Sequence, residues 1–196
     1  MSRLGKLVAL GFVGLAVMGI SIIMWGVGTS NKLVELEASV DESWAQVENV
    51  LQRRNDLIPN LVASVEGSMN QEKEIFTAIA DSRRTVNEAS DVDDVADANA
   101  ELNSQLQTLV NVIHESYPEL ASNKNVQDLM TQLEGTENRI SVERKRFNEA
   151  VTTYNVTIKK IPTNIVASML GYEKRDLFEM EEGAEAVPEV NFGVGG

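Results

Sequence analysis

The sequence predicts an all-α protein, in which long helices follow one N-terminal transmembrane helix and precede an acidic C-terminal tail. Three observations lead to this prediction. A run without a charged residue begins at Leu7 and ends at Gly28, and as a helix it reaches roughly 33 Å, enough to cross a bilayer. Apolar residues then recur at helical spacings of three and four as far as Ile161. Alternating β-branched runs between turn pairs, the signature of strands, are absent from the sequence.

The composition excludes several classes of function. With 17 lysines and arginines against 30 aspartates and glutamates, the 196-residue chain has a net charge of -13. This balance argues against nucleic-acid binding, because phosphates are bound by clustered cations. The chain has no cysteine, which excludes disulfides and thiolate metal sites, and His114 is its only histidine. The apolar share of 43% is sufficient for one buried core.

The uncharged N-terminal run is interpreted as a membrane anchor. It is longer than the apolar part of a cleaved signal peptide, and no clear cleavage pattern follows it. Trp25, near its end, suits the headgroup region. Arg3 and Lys6 precede the run, whereas acidic residues follow Lys32. The positive-inside rule therefore predicts a single-pass protein of the cytoplasmic (inner) membrane with its helical domain on the periplasmic or extracytoplasmic side.

A first long helix is predicted from Asn31, because its apolar stripe runs at helical spacing from Leu33 to Val86. Without interruption this helix would be far longer than a typical globular helix. The stripe therefore predicts either a continuous rod or a broken helix. A break would be easiest at Gly67 and Ser68, and a kink is expected at Pro59, where proline removes a backbone hydrogen bond.

A second helix is predicted to follow Ser90 and Asp91, either of which is a good N-cap, and to end at Pro118. The acidic residues near this N-terminus suggest a calcium site, but they lack the glycine and the trailing ligand of a calcium-binding loop. Helix capping and solvation explain them better.

A third long helix is predicted after polar caps at residues 122–125, and it ends before Pro162. It is a natural partner for the first helix. A short apolar helix over residues 164–170, closed by Gly171, comes next. Its apolar side chains would form an exposed patch on their own, so we expect them to cap the end of the bundle or to contact a partner. These side chains are Ile165, Val166, Met169 and Leu170.

The organisation that follows has three parts: residues 1–30 as the transmembrane anchor, residues 31–171 as the helical bundle, and residues 172–196 as an acidic tail that is partly ordered at most. Four apolar residues of the tail are candidates for local docking, namely Phe178, Val187, Val190 and Phe192.

One polar cluster interrupts the apolar stripes of the first and third helices. The third stripe skips from Leu133 to Ile140, and Thr136 and Glu137 occupy the positions that would fill it. An inward Glu137 would need a partner, and an arginine fork from Arg53 or Arg54 satisfies a carboxylate best. The candidate structural or interaction cluster comprises Arg53, Arg54, Asp56, Pro59, Glu137, Asn138 and Arg139. We interpret it as an interhelical clamp, with a partner or protomer contact as the alternative and catalysis as the remote one.

An enzymatic mechanism has little support in the sequence. The paired carboxylates Glu134 and Glu137 lack the Glu-x-x-His partners from which di-iron sites of helical bundles are built. His114 lies near a helix end, where the helix dipole or solvation accounts for it. The sequence therefore predicts no catalytic residue, no cofactor and no metal ligand.

Several separate stretches, in order, resemble the LemA family of bacterial membrane proteins. They are VDESWAQVE (residues 40–48), RRNDLIPNLV (53–62), LEGTENRISVERKRFNEAVTTYN (133–155), a Pro-x-Asn-x-Val-Ala segment (162–167) and EEGAEAVPEVNF (181–192). The resemblance implies an elongated antiparallel bundle of the four-helix, up-and-down type with mirror topology, anchored by one membrane helix. It also implies an association with membrane zinc metalloproteases and relatives in magnetosome-bearing bacteria. The opposite membrane topology is described for the family, so the cytoplasmic side stays open for the bundle.

The function predicted from these features is that of a non-enzymatic, membrane-anchored scaffold or adaptor. It would bind the bilayer through the run from Leu7 to Gly28, and protein partners or copies of itself through coiled-coil-like helical faces. Two alternatives stay open. A carboxylate-based metalloenzyme predicts bound metal, and a membrane-remodelling helical protein predicts altered vesicle shape, although the acidic balance disfavours the latter.

Overall fold

A computed structural model describes residues 3–179 of the chain, with side chains from residue 10. This part contains six helices and no strand, which confirms the prediction of an all-α fold with one long apolar N-terminal helix. The helices are α1 (Arg3–Val65), α2 (Lys73–Glu88), α3 (Val92–Ser116), α4 (Pro118–Ala121), α5 (Lys124–Lys159) and α6 (Thr163–Leu170). Three of the candidate docking residues of the tail, Val187, Val190 and Phe192, lie outside the described residues.

The N-terminal half of α1 has the properties of a membrane span. The most apolar part of this half has a mean hydropathy of 2.2. Within residues 10–179, α1 is the one helix that is long and apolar enough to cross a membrane. Large apolar side chains such as Phe12 and Ile23 are exposed along it. These features are compatible with a single-pass membrane protein.

The first long helix is broken, and not a continuous rod, and the break lies at the place where the sequence makes one easiest. The helix α1 ends at Val65, and Met69 donates from its backbone N–H to the Val65 carbonyl over 3.1 Å before α2 begins. Gly67 lies in this turn. Pro59 lies inside α1 without ending it, and its side chain is exposed.

The predicted caps are present at the N-termini of α3 and α5. The Asp91 carboxylate accepts a hydrogen bond of 2.8 Å from the Asp94 N–H, which confirms capping by Asp91. Repulsion from Asp91 raises the pKa of Asp94. At α5, the Asn123 side chain accepts from the backbone N–H groups of Asn125 and Val126. These bonds satisfy donors that the first turn of a helix leaves free.

The short helix α6 ends as predicted, and three of its apolar side chains are exposed. Gly171 adopts a left-handed conformation with a φ of 79°, and the Tyr172 N–H bonds to the Ala167 carbonyl, as in a Schellman-type cap. Met169 and Leu170, together with Ile165, are exposed. Of the two alternatives predicted for these side chains, capping of the end of the bundle does not apply to these three, and contact with a partner stays a prediction.

The described chain divides into two compact units, the first with residues 3–45 and 146–175 and the second with residues 46–145 and 176–179. This division crosses α1 and α5, so the predicted domain boundaries after residues 30 and 171 stay predictions. In the first unit, the rings of Trp44 and Phe147 contact each other with centroids 5.1 Å apart. The Tyr154 hydroxyl donates to the Glu173 carbonyl over 2.9 Å.

Residues 173–175 are fixed along α5 and α1 in the first unit. The Asn155 side-chain amide donates to the Arg175 carbonyl over 2.8 Å and accepts from the Arg175 N–H over 3.0 Å. The Arg175 guanidinium lies 3.3 Å from Glu37 and 3.5 Å from Asp41. This segment of the predicted tail is thus ordered by specific hydrogen bonds.

The second unit has a contiguous apolar core to which α1, α2, α3 and α5 all contribute. The buried residues are Ile58, Leu61, Val65, Met69, Ile79, Leu102, Leu106, Leu109, Ile113, Val126, Leu129 and Leu133. They occupy the helical stripes that the sequence predicts, because positions three and four apart share one face of a helix.

Candidate interaction site

The helix α1 carries two consecutive buried polar residues in the second unit, Arg54 and Asn55. They lie between Leu51 and Ile58 on the stripe that otherwise contributes apolar side chains. Burial of a polar group costs free energy unless it is hydrogen-bonded, so each of these side chains needs partners on neighbouring helices.

Arg54 connects α1 to α3 and α5. Its Nη1 donates to the Glu137 carboxylate over 2.7 Å, and its Nη2 donates to the Asn99 side-chain oxygen. Asn99 in turn donates to the Val95 carbonyl over 2.7 Å. Burial lowers the pKa of Arg54, and the Glu137 carboxylate opposes this shift, so the guanidinium remains charged.

Asn55 connects α1 to α2 in a second network. Its amide donates to the Asn87 side-chain oxygen over 2.7 Å, and its oxygen accepts from Nε of Arg83 over 2.9 Å. Two adjacent residues of α1 therefore bond to all three of the other helices that build this core. We call Arg54, Asn55 and their bonded partners the polar layer.

The structure brings together only Arg54 and Glu137 from the predicted cluster. The side chains of Arg53, Asp56 and Pro59 on α1 are exposed, and so are Asn138 and Arg139 on α5. Asp56 accepts a hydrogen bond of 2.9 Å from Gln52 on its own helix.

The gap in the stripe of α5 is filled by Thr136 and not by Glu137. Thr136 is buried, and its hydroxyl donates to the Leu133 carbonyl over 2.7 Å, so its polar atom is satisfied within the helix. The Glu137 side chain is 43% exposed and reaches Arg54 from the edge of the core. The predicted inward carboxylate is therefore corrected to one at the rim.

Three members of the site were not predicted from the sequence, namely Asn99, Asn87 and Arg83. A signal was available for Asn99, because it lies between Val95 and Leu102 at the helical spacings of four and three and interrupts an apolar stripe. No comparable pattern marks Asn87 or Arg83, which lie among other polar residues of α2.

A groove of about 650 Å³ lies beside the polar layer, between α3 and α5 of the second unit. Arg54, Leu106 and Leu133 line it with buried side chains. The polar side chains along it are Asn103, Gln107, Asn111 and His114 from α3, and Gln127, Thr131, Glu134 and Glu137 from α5. Within residues 10–179, Nε of Arg54 is buried without a hydrogen-bond partner.

Three amides on α3 repeat once per helical turn along this groove, at Asn103, Gln107 and Asn111. In the described part of the chain these side chains form no hydrogen bond, and Gln107 and Asn111 are exposed, whereas Asn103 is half-buried. Amides are neutral at every physiological pH and both donate and accept hydrogen bonds. These three amides are therefore suited to hydrogen-bonded recognition of a bound group.

Within residues 10–179, no group of three or more histidine, aspartate and glutamate side chains is placed to hold a metal ion. Glu134 and Glu137 both border the groove, but the single histidine, His114, does not complete a ligand set with them.

Comparison with known proteins places the chain among LemA relatives. It is 26% identical over 175 residues to the magnetosome protein MamQ 2 of Paramagnetospirillum magneticum and 26% identical over 174 residues to the magnetosome protein MamQ of Magnetospirillum gryphiswaldense. Each alignment covers 76% of this chain and 64% of the relative, so the chain spans less than two thirds of these relatives' length. It is also 24% identical over 159 residues to protein LemA of Metamycoplasma hominis, covering 80% of this chain and 71% of that protein.

The family model agrees with these pairwise similarities. The model of the LemA family matches residues 43–192, a range that includes both the polar layer and the groove. This match extends over most of the chain, and the protein belongs to the LemA family.

Proposed function

We propose that the chain is a membrane-anchored, non-enzymatic adaptor that binds a protein partner in the groove between α3 and α5. The observation that carries this proposal is the row of amides at Asn103, Gln107 and Asn111, which have no hydrogen-bond partner within residues 10–179 and line a groove beside the apolar core of the second unit. The anchor is the run of α1 from Leu7 to Gly28.

A four-helix, up-and-down bundle is the arrangement proposed for α1, α2, α3 and α5. All four helices contribute to one core, and the connections between them are short, which favours antiparallel neighbours. The polar layer supports the same arrangement, because Arg54 and Asn55 reach the other three helices from a single level of α1.

The spacing of the amides favours an extended peptide segment as the occupant. Residues four apart on a helix are separated by about 6 Å along its axis, and alternate residues of an extended chain lie about 6.6 Å apart. Amides one turn apart thus reach main-chain groups of alternate peptide residues. Glu134 on the opposite wall would favour a lysine or arginine in that segment, whereas the charge of Glu137 is already balanced by Arg54.

Site-specific photocrosslinking in native membranes tests the proposal. A photoreactive residue at Gln107, inside the groove, is expected to give one adduct of defined mass, and Thr108, exposed on the next position of α3, serves as the matched control. Replacing Asn103 and Asn111 by alanine is expected to weaken the Gln107 adduct. Equal adducts at Gln107 and Thr108, or none at either, would contradict partner binding in the groove.

The mass of the adduct identifies the kind of partner. A membrane metalloprotease is the first candidate, because the resemblance implies such a system. An adduct of twice the mass of this chain would support self-assembly into a homo-oligomer instead. Protease accessibility of the bundle in sealed vesicles tests the proposed extracytoplasmic side, which rests on Arg3 and Lys6 preceding the span.

A further inference from the structure

The helix α6 of the first unit exposes an apolar patch that nothing in the described chain covers. The helix has no charged residue, and Met169 is 81% exposed. Ile161, just before the helix, is 84% exposed, and Ile165 and Leu170 are exposed as well. Several large apolar side chains grouped in this way usually mark a contact with a partner or a membrane.

The level of α6 along α1 follows from the contacts within the first unit. Trp44 of α1 contacts Phe147 of α5. Glu37 lies seven residues before Trp44 on α1, and Asn155 lies eight residues after Phe147 on α5. Arg175 contacts both Glu37 and Asn155, so these two residues are at a similar level. The two helices therefore run antiparallel, and moving along α1 towards its N-terminus corresponds to moving along α5 towards its C-terminus by a similar number of residues.

The same alignment of α1 and α5 places the end of α5 close to the end of the membrane span. Continuing from Asn155 to Lys159 on α5 corresponds to moving from Glu37 to about residue 33 on α1. The uncharged run ends at Gly28, only about 8 Å further along a helix that rises 1.5 Å per residue. The helix α6 begins four residues after Lys159 and so lies at the expected boundary of the bilayer.

The basic residues beside α6 are also consistent with a position at the bilayer surface. Lys159 and Lys160 are exposed directly before α6, and Lys32 is exposed on α1. Lysines beside apolar residues are favoured at a membrane interface, where the side-chain stem lies in the apolar region and the ammonium reaches the phosphates. The basic group is notable in a chain whose net charge is -13.

From this position and chemistry we infer that α6 is an interfacial helix, which lies on the bilayer beside the transmembrane span and inserts Ile161, Ile165, Met169 and Leu170 among the lipid headgroups and upper acyl chains. The protein then contacts the membrane at two places. Contact through α6 orients the first unit against the surface, whereas a lone span would leave it free to rotate about α1.

Depth measurements in vesicles test this contact. The chain has no cysteine, so single cysteines introduced into the full chain accept a polarity-sensitive fluorophore at one site each. The test positions are Ile165→Cys and Met169→Cys, and Val156→Cys is the matched control, an exposed apolar residue of α5 further from the span. The vesicles contain phosphatidylcholine and phosphatidylglycerol, with and without lipids that carry a spin label high on the acyl chain.

At positions 165 and 169 we expect blue-shifted emission and several-fold quenching by the spin-labelled lipid, and at position 156 neither effect. Labels at 165 and 169 that behave like the label at 156 would overturn the inference. A blue shift without lipid quenching would also overturn it, because a second copy or another protein would then cover the patch.

A label at Ile22→Cys keeps this inference separate from the proposed anchor on which it rests. Ile22 lies inside the uncharged run, before Trp25 and Gly28, and a label there is expected to be blue-shifted and inaccessible to aqueous quenchers. A buried label at position 22 with unquenched labels at 165 and 169 rejects the interfacial helix alone. An exposed label at position 22 rejects the membrane span itself.

Discussion

Loss of the Arg54–Glu137 ion pair is expected to destabilise the second unit in a way that loss of a neighbouring charge does not. Arg54 is 3% exposed, and Arg53, the adjacent residue of the same type, is exposed. The pair of variants Arg54→Met and Arg53→Met therefore compares the same chemical change at a buried and at an exposed position. The variant Glu137→Ala removes the partner and leaves the buried guanidinium with Asn99.

The magnitudes follow from the burial of each group. Removing one member of a fully buried pair costs about 3 to 5 kcal/mol, but the Glu137 side chain is 43% exposed, so water reaches the site and screens it. We expect Glu137→Ala to lower the free energy of unfolding by about 2 kcal/mol. Arg54→Met leaves the Asn99 oxygen unpaired and should lower the free energy of unfolding by about 1 to 2 kcal/mol. Arg53→Met should change the free energy of unfolding by about 0.5 kcal/mol or less.

Urea unfolding of the full chain in detergent micelles, followed by circular dichroism, measures these differences. Hydrogen exchange of α3, and of α5 as far as Lys145, assigns them to the second unit. The double variant Arg54→Met/Glu137→Ala completes a cycle, in which we expect about 1 kcal/mol of coupling, because the second change no longer strands a buried charge. Equal costs for Arg53→Met and Arg54→Met, or additive single changes within error, would refute a clamp at this pair.

Three further predictions concern single elements. Asp91→Ala should lower the stability of α3 by about 1 kcal/mol through loss of the cap on the Asp94 N–H, measured by urea unfolding. Gly171→Ala should cost about 1 kcal/mol, because Gly171 has a positive φ; thermal unfolding measures it. Burial, and then the charge of Glu37, raises the pKa of Tyr154 above its unfolded value near 10, so the stability it contributes is complete below about pH 10 and is lost as the pH rises through the folded value. Tyr154→Phe should lose about 1 kcal/mol at neutral pH with the bond to Glu173, and should show a smaller loss of stability than the parent between about pH 9 and pH 11.

Features set by neighbouring residues were predictable from the sequence. The break at Gly67, the cap at Asp91 and the left-handed end at Gly171 each depend on local backbone geometry, which a few residues determine. The apolar stripes likewise identify the core faces, because burial follows the helical period.

Features set by long-range partners were less predictable. The sequence offers Arg53 and Arg54 as equal partners for Glu137, and only the rotation of α1 about its axis selects Arg54. Asn99 is distant in sequence from Arg54, so the hydrogen bond between them depends on how α1 and α3 are aligned. The exposure of Met169 also escapes a sequence rule, because an apolar helix near a membrane and one in a core have the same composition.

The polar layer offers a physical reason why one alignment of these helices is preferred. Apolar stripes repeat every turn or two, so sliding α1 past its neighbours would exchange one set of aliphatic contacts for a similar one at little cost. Successive helical residues point about 100° apart, which lets Arg54 face α3 and α5 while Asn55 faces α2. A shift by one turn would separate both residues from their partners, and each buried group left unpaired costs about 1 to 3 kcal/mol. The charged interruption of the stripe therefore discriminates between alignments that the aliphatic residues alone would leave nearly equal in free energy.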